Sequence, residues 1–228
     1  MKAVNKIVIF LLAFSVFPVT LFLNIVRGVF SISESSSLYT ILSKLAEDMV
    51  NSSLELTYSL KEIIQKIGDG GISFAGMSFD LSKIPPELLN GKGWVIAAGV
   101  LFVVALIIAI VIMGCALFTK AYKTISCLGA GGAVCCFAAM RCFAKFAAPY
   151  LNGSLDIGEI LAEALIGDNE DLLGTLGSAF LKKSISVDAF ELGNAVNLVF
   201  IIFIGIALWE LAYFITLPEE KTKKIKHK

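Results

Sequence analysis

The side chains able to do chemistry in this chain are few and scattered. One histidine, His227, sits in the lysine-rich stretch Glu219 to Lys228, with no second imidazole or thiol beside it to complete a metal site. Cys115, Cys127, Cys135, Cys136 and Cys142 lie in or beside apolar runs and form no CxxC pair, so they read as small packing residues. Asp168, Glu170 and Asp171 lack the spacing and the turn glycine of a calcium loop. The glycines at 129, 131 and 132 are followed by no Lys-Ser or Lys-Thr, which a phosphate loop requires. Asn51-Ser52-Ser53 and Asn152-Gly153-Ser154 match the glycosylation acceptor pattern. No catalytic residue, cofactor site or metal site is expected, no small-molecule substrate suggests itself, and the chain does not read as an enzyme.

One carboxylate stands apart. Glu210 lies deep within an apolar run that ends at Pro218. A carboxylate in lipid is costly and calls for a partner. The expected role is a structural ion pair near the inner membrane boundary, with Lys6, Lys120 or Lys123. A proton or ion relay and a subunit contact are the alternatives. Arg141 and Lys145 are expected at the outer boundary, at the opposite end, where they are poor partners for Glu210.

The elements that hold these residues are set by hydropathy. The 228-residue chain is 57% hydrophobic and 17% charged, with a mean hydropathy of +0.84. Soluble domains carry about 25% charged residues. Net charge is zero, so no overall field favours nucleic acid. Trp94 to Phe118 runs twenty-five residues without a charge. A bilayer core needs a helix of roughly 20 such residues. Residues 1–27 and 192–217 hold further runs of crossing length, the first carrying Pro18 near its middle and read as retained rather than cleaved.

Residues 125–151 are less apolar and rich in small side chains, and fit either a crossing or a re-entrant helix. Cys127, Gly131 and Cys135 fall four apart, as do Gly129 and Ala133. Such spacing lets helix backbones approach closely in lipid, so these five residues are the expected helix-packing or oligomer contacts.

Charge settles the count of crossings. With the amino terminus inside and four crossings, Lys2, Lys6, Lys120, Lys123 and the five lysines of tail 218–228 fall in short inner segments. That pattern is what retention of basic flanks produces. Three crossings would strand one basic cluster outside. The link 119–124 is then cytoplasmic.

Segments 28–93 and 152–191 are then extracytoplasmic. Between Leu38 and Ile67 apolar residues recur mostly at three- and four-residue steps, which predicts an amphipathic helix, or two helices broken at Asn51-Ser52-Ser53, ending at Gly68. Ile72 to Leu81 reads as irregular or a short strand, Pro85-Pro86 as a helix start, and Asn90 to Gly93 as a turn. Ser154, Asp168 and Ser186 are expected helix caps.

The expectation is therefore an all-α integral membrane protein, with four transmembrane helices and helical extracytoplasmic segments. It sits in the plasma or cytoplasmic membrane with both termini cytoplasmic. Its partners are the lipid bilayer and either other membrane proteins or further copies of itself. A non-enzymatic scaffold or subunit of a larger complex, of envelope-assembly or secretion type, is the leading function. A channel or transporter subunit forming a homo-oligomeric path is the alternative.

Overall fold

The computed structural model describes residues 2–32, 54–68, 72–74, 77–79, 91–118, 122–154 and 185–216. Its described elements run in the order α1 (Lys2–Phe22), β1 (Asn24–Ile32), β2 (Leu54–Ser59), α2 (Leu60–Gly68), β3 (Ile72–Phe74), β4 (Met77–Phe79), α3 (Lys92–Phe118), α4 (Tyr122–Leu151), β5 (Ile185–Leu192) and α5 (Asn194–Thr216). The described residues are mostly helical. Four helices, α1, α3, α4 and α5, are long and apolar enough to cross a membrane. The chain divides into two units. One holds residues 1–20, 99–139 and 195–228, the other residues 21–98 and 140–194.

The first unit is built from the four long helices. Each buries a narrow stripe at three- and four-residue steps. On α1 the stripe is Asn5, Ile9, Ala13, Val16 and Thr20. On α3 it is Ala105, Ala109, Ile112 and Ala116. On α5 it is Val196, Val199, Phe203, Ile206 and Glu210, a heptad-like seam in which the carboxylate takes an apolar position. Small side chains dominate the α3 and α4 stripes, as close packing without a hydrophobic drive demands. The remaining surfaces are exposed Val, Ile, Leu and Phe, among them Ile107, Ile110 and Ile201. The starts of α1 and α4 lie beside the ends of α3 and α5: Asn5 meets Glu210, Lys6 meets the Leu117 carbonyl, and Tyr122 meets Tyr213.

The second unit contains a sheet, and this corrects the all-α expectation. Strands lie in the order β2-β1-β5, antiparallel throughout. β1 pairs Arg27 with Thr57 on one side and Glu191 on the other. The first apolar run therefore does not stay helical to residue 27. The helix stops at Phe22, and Ile25, Val26, Val29 and Phe30, branched or aromatic, continue as strand. A Cβ at Gly28 would sit 2.8 Å from the ring of Phe30, so a larger residue there would have to turn that ring aside. The amphipathic helix expected from Leu38 is likewise replaced over its described part, where residues 54–59 are strand and only Leu60–Gly68 are helical.

The start of α2 is fixed by a reciprocal cap. The Ser59 backbone N–H donates to Glu62 Oε2 at 2.8 Å, and the Glu62 N–H donates to Ser59 Oγ at 3.3 Å. β3 and β4 form a two-stranded antiparallel pair in the stretch read as irregular or strand.

Ser186 caps no helix. It lies in β5, shares a 2.7 Å hydrogen bond with Ser31 Oγ, and the last helix starts at Asn194 instead. The expected helices begun by Ser154, Asp168 and Pro85-Pro86 lie outside the described residues. α4 is a thirty-residue helix that takes in Tyr122 to Thr124, part of the expected link. Pro18 and Pro149 lie inside α1 and α4.

Within this unit the last turns of α4 pack on β5 through aromatic rings. Phe190 lies 5.2 Å from Phe143, 5.9 Å from Phe146 and 5.8 Å from Tyr150 between ring centroids. Gly91, at φ +89°, makes the turn into α3, whose Trp94 N–H donates to the Gly91 carbonyl.

Candidate functional site

The buried polar centre of the first unit joins the first and last long helices. Glu210 is 1% exposed. Its Oε1 accepts a 2.8 Å hydrogen bond from Asn5 Nδ2, and Asn5 Oδ1 accepts one of 2.6 Å from Trp209 Nε1. Trp209 lies half outside the bundle while its N–H turns inward. These three side chains form a chain of donors and acceptors between α1 and α5. Inside lipid such bonds hold helices together because no water competes for the groups.

Glu210 is thus tied by an amide, where a lysine was expected. Lys6 Nζ donates to the Leu117 carbonyl at 3.2 Å, closing the end of α3. Lys123 Nζ lies 4.8 Å above the Phe214 ring. Lys120 lies outside the described residues. Arg141 and Lys145 belong to the other unit, where Lys145 Nζ stands 4.4 Å over the ring of Trp94 and Arg141 is exposed.

The small residues of α4 divide into two sets. Gly129 faces α5 so closely that a Cβ would lie 2.9 Å from the Ala207 nitrogen and 3.1 Å from the Phe203 carbonyl oxygen. A Cβ on Gly132 would lie 2.5 Å from the Phe203 ring. Ala133 and Cys136 continue this buried line, and Ser126 Oγ donates to the Ala207 carbonyl at 3.0 Å. Cys127 and Gly131 fall on the other side: Cys127 is exposed, and nothing lies within 4 Å of a Cβ at Gly131. Cys135 is half-buried. Of the five packing residues expected, Gly129 and Ala133 meet their own bundle.

Asn5, Trp209 and Gly132 were not singled out by the sequence. Asn5 sits between basic flank residues and reads as part of them. A polar residue of the first helix one turn inside the boundary, facing a carboxylate of the last, is the signal that would have found it.

In the second unit a polar cluster decorates the sheet. Arg27 Nε lies 2.7 Å from Glu55 Oε1, and its Nη1 lies 3.3 Å from Glu191 Oε1. The hydrogen bond and charge of Glu55 hold the guanidinium above its ordinary value, desolvation partly offsets them, and Glu191 adds a lesser hydrogen bond and charge. All three side chains are substantially exposed, so the cluster sets strand register more than stability. Among the described residues no group of three or more His, Cys, Asp or Glu could hold a metal ion. No family model, curated protein or solved structure matches the chain.

Proposed function

We propose that the chain is a non-enzymatic multi-pass membrane protein that serves as a scaffold or subunit of a larger membrane complex. Four crossings would place both termini on the cytoplasmic face of the plasma or cytoplasmic membrane. The observation that carries this reading is the direction of the buried polar groups. Asn5, Glu210 and Trp209 turn to one another between α1 and α5, Ser126 of α4 donates to the Ala207 carbonyl of α5, and Thr20 and Ser15 donate to carbonyls of their own helix. These bonds join helices or close on their own helix, and do not converge on a space for a substrate. The α4–α5 seam, closed to backbone contact at Gly129, speaks against a path along that line.

The even count of crossings is supported by the meeting of the α1 and α4 starts with the α3 and α5 ends. Nine of the nineteen basic residues of the sequence fall in the short segments at those same element ends, and the other ten are spread over the long segments, a density difference of the kind positive-inside retention produces. Small residues of α4 left open at Cys127 and Gly131, beside exposed Val134 and Phe137, offer a surface for a neighbouring helix.

The test is crosslinking in the native membrane followed by native electrophoresis of the detergent extract. A discrete assembly containing a second protein at fixed stoichiometry supports the reading. A lone chain, or a closed homo-oligomer that conducts ions in liposomes, contradicts it; the latter would establish the channel alternative.

A further inference from the structure

The orientation of Asn5 is fixed by its neighbour. An indole N–H can only donate, so the atom 2.6 Å from Trp209 Nε1 must be the Asn5 carboxamide oxygen. The amide nitrogen is then the group facing Glu210 Oε1. Asn5 offers Glu210 one neutral donor. The second oxygen, Oε2, is buried and has no hydrogen-bond partner among the described residues. Among the described side chains no cation is paired with Glu210: both ion pairs belong to Arg27 in the other unit, Lys6 is held by the Leu117 carbonyl, and Lys123 lies on the Phe214 ring. The other titratable groups described at this end of the bundle are Cys115 on α3, Tyr122 on α4 and Tyr213 on α5, and Lys2 precedes Asn5 by three residues on α1.

We propose that Glu210 is a proton-binding site: the bundle is built around its neutral carboxylic acid, with Oε1 accepting from Asn5 and Oε2 carrying the proton. In water near pH 7 a glutamate is ionised by about 500 to 1. An unpaired carboxylate removed from water with one neutral hydrogen bond loses more than that ratio supplies, so the proton is taken up from solvent. Asn5 suits the acid as well as the anion, because the acid's carbonyl oxygen accepts the same bond. The first and last helices then meet without a counter-ion. Lys2 and Lys120 are the competing occupants of Oε2, and either would make Glu210 an ion pair.

Infrared spectroscopy in bilayers near neutral pH reads the carboxyl directly. The wild-type-minus-Glu210→Gln difference should contain the C=O stretch of a carboxylic acid. The band should persist in Lys120→Gln. Carboxylate stretches in place of the acid band would overturn the proposal, and so would loss of the acid band in Lys120→Gln. Failure of Glu210→Gln to fold would also count against it, because the amide reproduces the neutral acid's shape and accepting oxygen. The readout concerns one carboxyl, so its failure leaves the membrane-subunit reading standing.

Discussion

Gly129 and Gly131 lie two residues apart, on opposite sides of one helix, and alanine at the two positions should behave oppositely. At Gly129 the new methyl would lie 2.9 Å from the Ala207 nitrogen, 3.1 Å from the Phe203 oxygen and 3.2 Å from the Ala207 Cα. All three are backbone atoms of α5, and none can rotate away. Comfortable contact lies near 3.5–4.0 Å, so the helices must part by roughly 0.5–1 Å, which forfeits about a quarter to a half of each contact along the seam. The same movement stretches the 3.0 Å bond from Ser126 to the Ala207 carbonyl. Overpacking of this kind costs about 1–3 kcal/mol. At Gly131 a methyl meets nothing within 4 Å. Both variants gain the same helix preference, up to about 1 kcal/mol, which cancels when they are compared. The gap between them is therefore the overpacking cost alone, about 1–3 kcal/mol. Equilibrium unfolding in mixed micelles, followed by tryptophan fluorescence, measures it. Equal stability of the two variants, or a less stable Gly131→Ala, would refute the packing described for α4.

Three further outcomes follow from particular contacts. Ser59→Ala removes one half of the α2 cap and should cost about 1 kcal/mol, read as lost amide-exchange protection in residues 60–63. Asn5→Ala leaves both Glu210 and the Trp209 N–H without their described partner, whereas Trp209→Phe removes a single donor. The first should lower stability by about 1–3 kcal/mol and the second by about 1 kcal/mol; thermal unfolding in detergent that ranks them the other way would contradict the network. Arg27→Gln should change stability little, with the change shrinking as salt rises. Because Glu55 and Glu191 raise the Arg27 value, its contribution is complete at neutral pH and is lost only as pH rises through that raised value. A denaturation midpoint difference between Arg27→Gln and wild type that vanished between pH 7 and pH 9 would show the pairing to be misassigned.

The four long helices were legible because lipid imposes a length and a composition that few other environments do. Which face each turns inward was not legible from hydropathy, since Lys92–Phe118 is apolar all round. The signal lay instead in size: Ala105, Ala109 and Ala116 mark the buried line of α3. The strands were missed for two reasons. β1 follows α1 with only Asn24 between apolar residues before Arg27, so hydropathy marks the boundary at Phe22 weakly and does not tell helix from strand. β2 reads Leu-Glu-Leu-Thr-Tyr-Ser, a two-residue alternation that was absorbed into a longer helical stripe. Ser59 followed three residues later by Glu62 was the local mark of where that helix starts. Glu210 was legible as a costly buried carboxylate. Its hydrogen-bond partner Asn5 was not, because an amide between Lys2 and Lys6 reads as part of the basic flank.

The most direct test of the four-crossing layout is two-sided labelling of single cysteines in a cysteine-free background, in intact cells. Lys2→Cys and Lys228→Cys should resist a membrane-impermeant maleimide until the membrane is opened, while Asn152→Cys, in the exposed turn after α4, should react at once. Labelling of the two ends from opposite faces, or protection of Asn152→Cys together with exposure of Lys2→Cys, would contradict the layout.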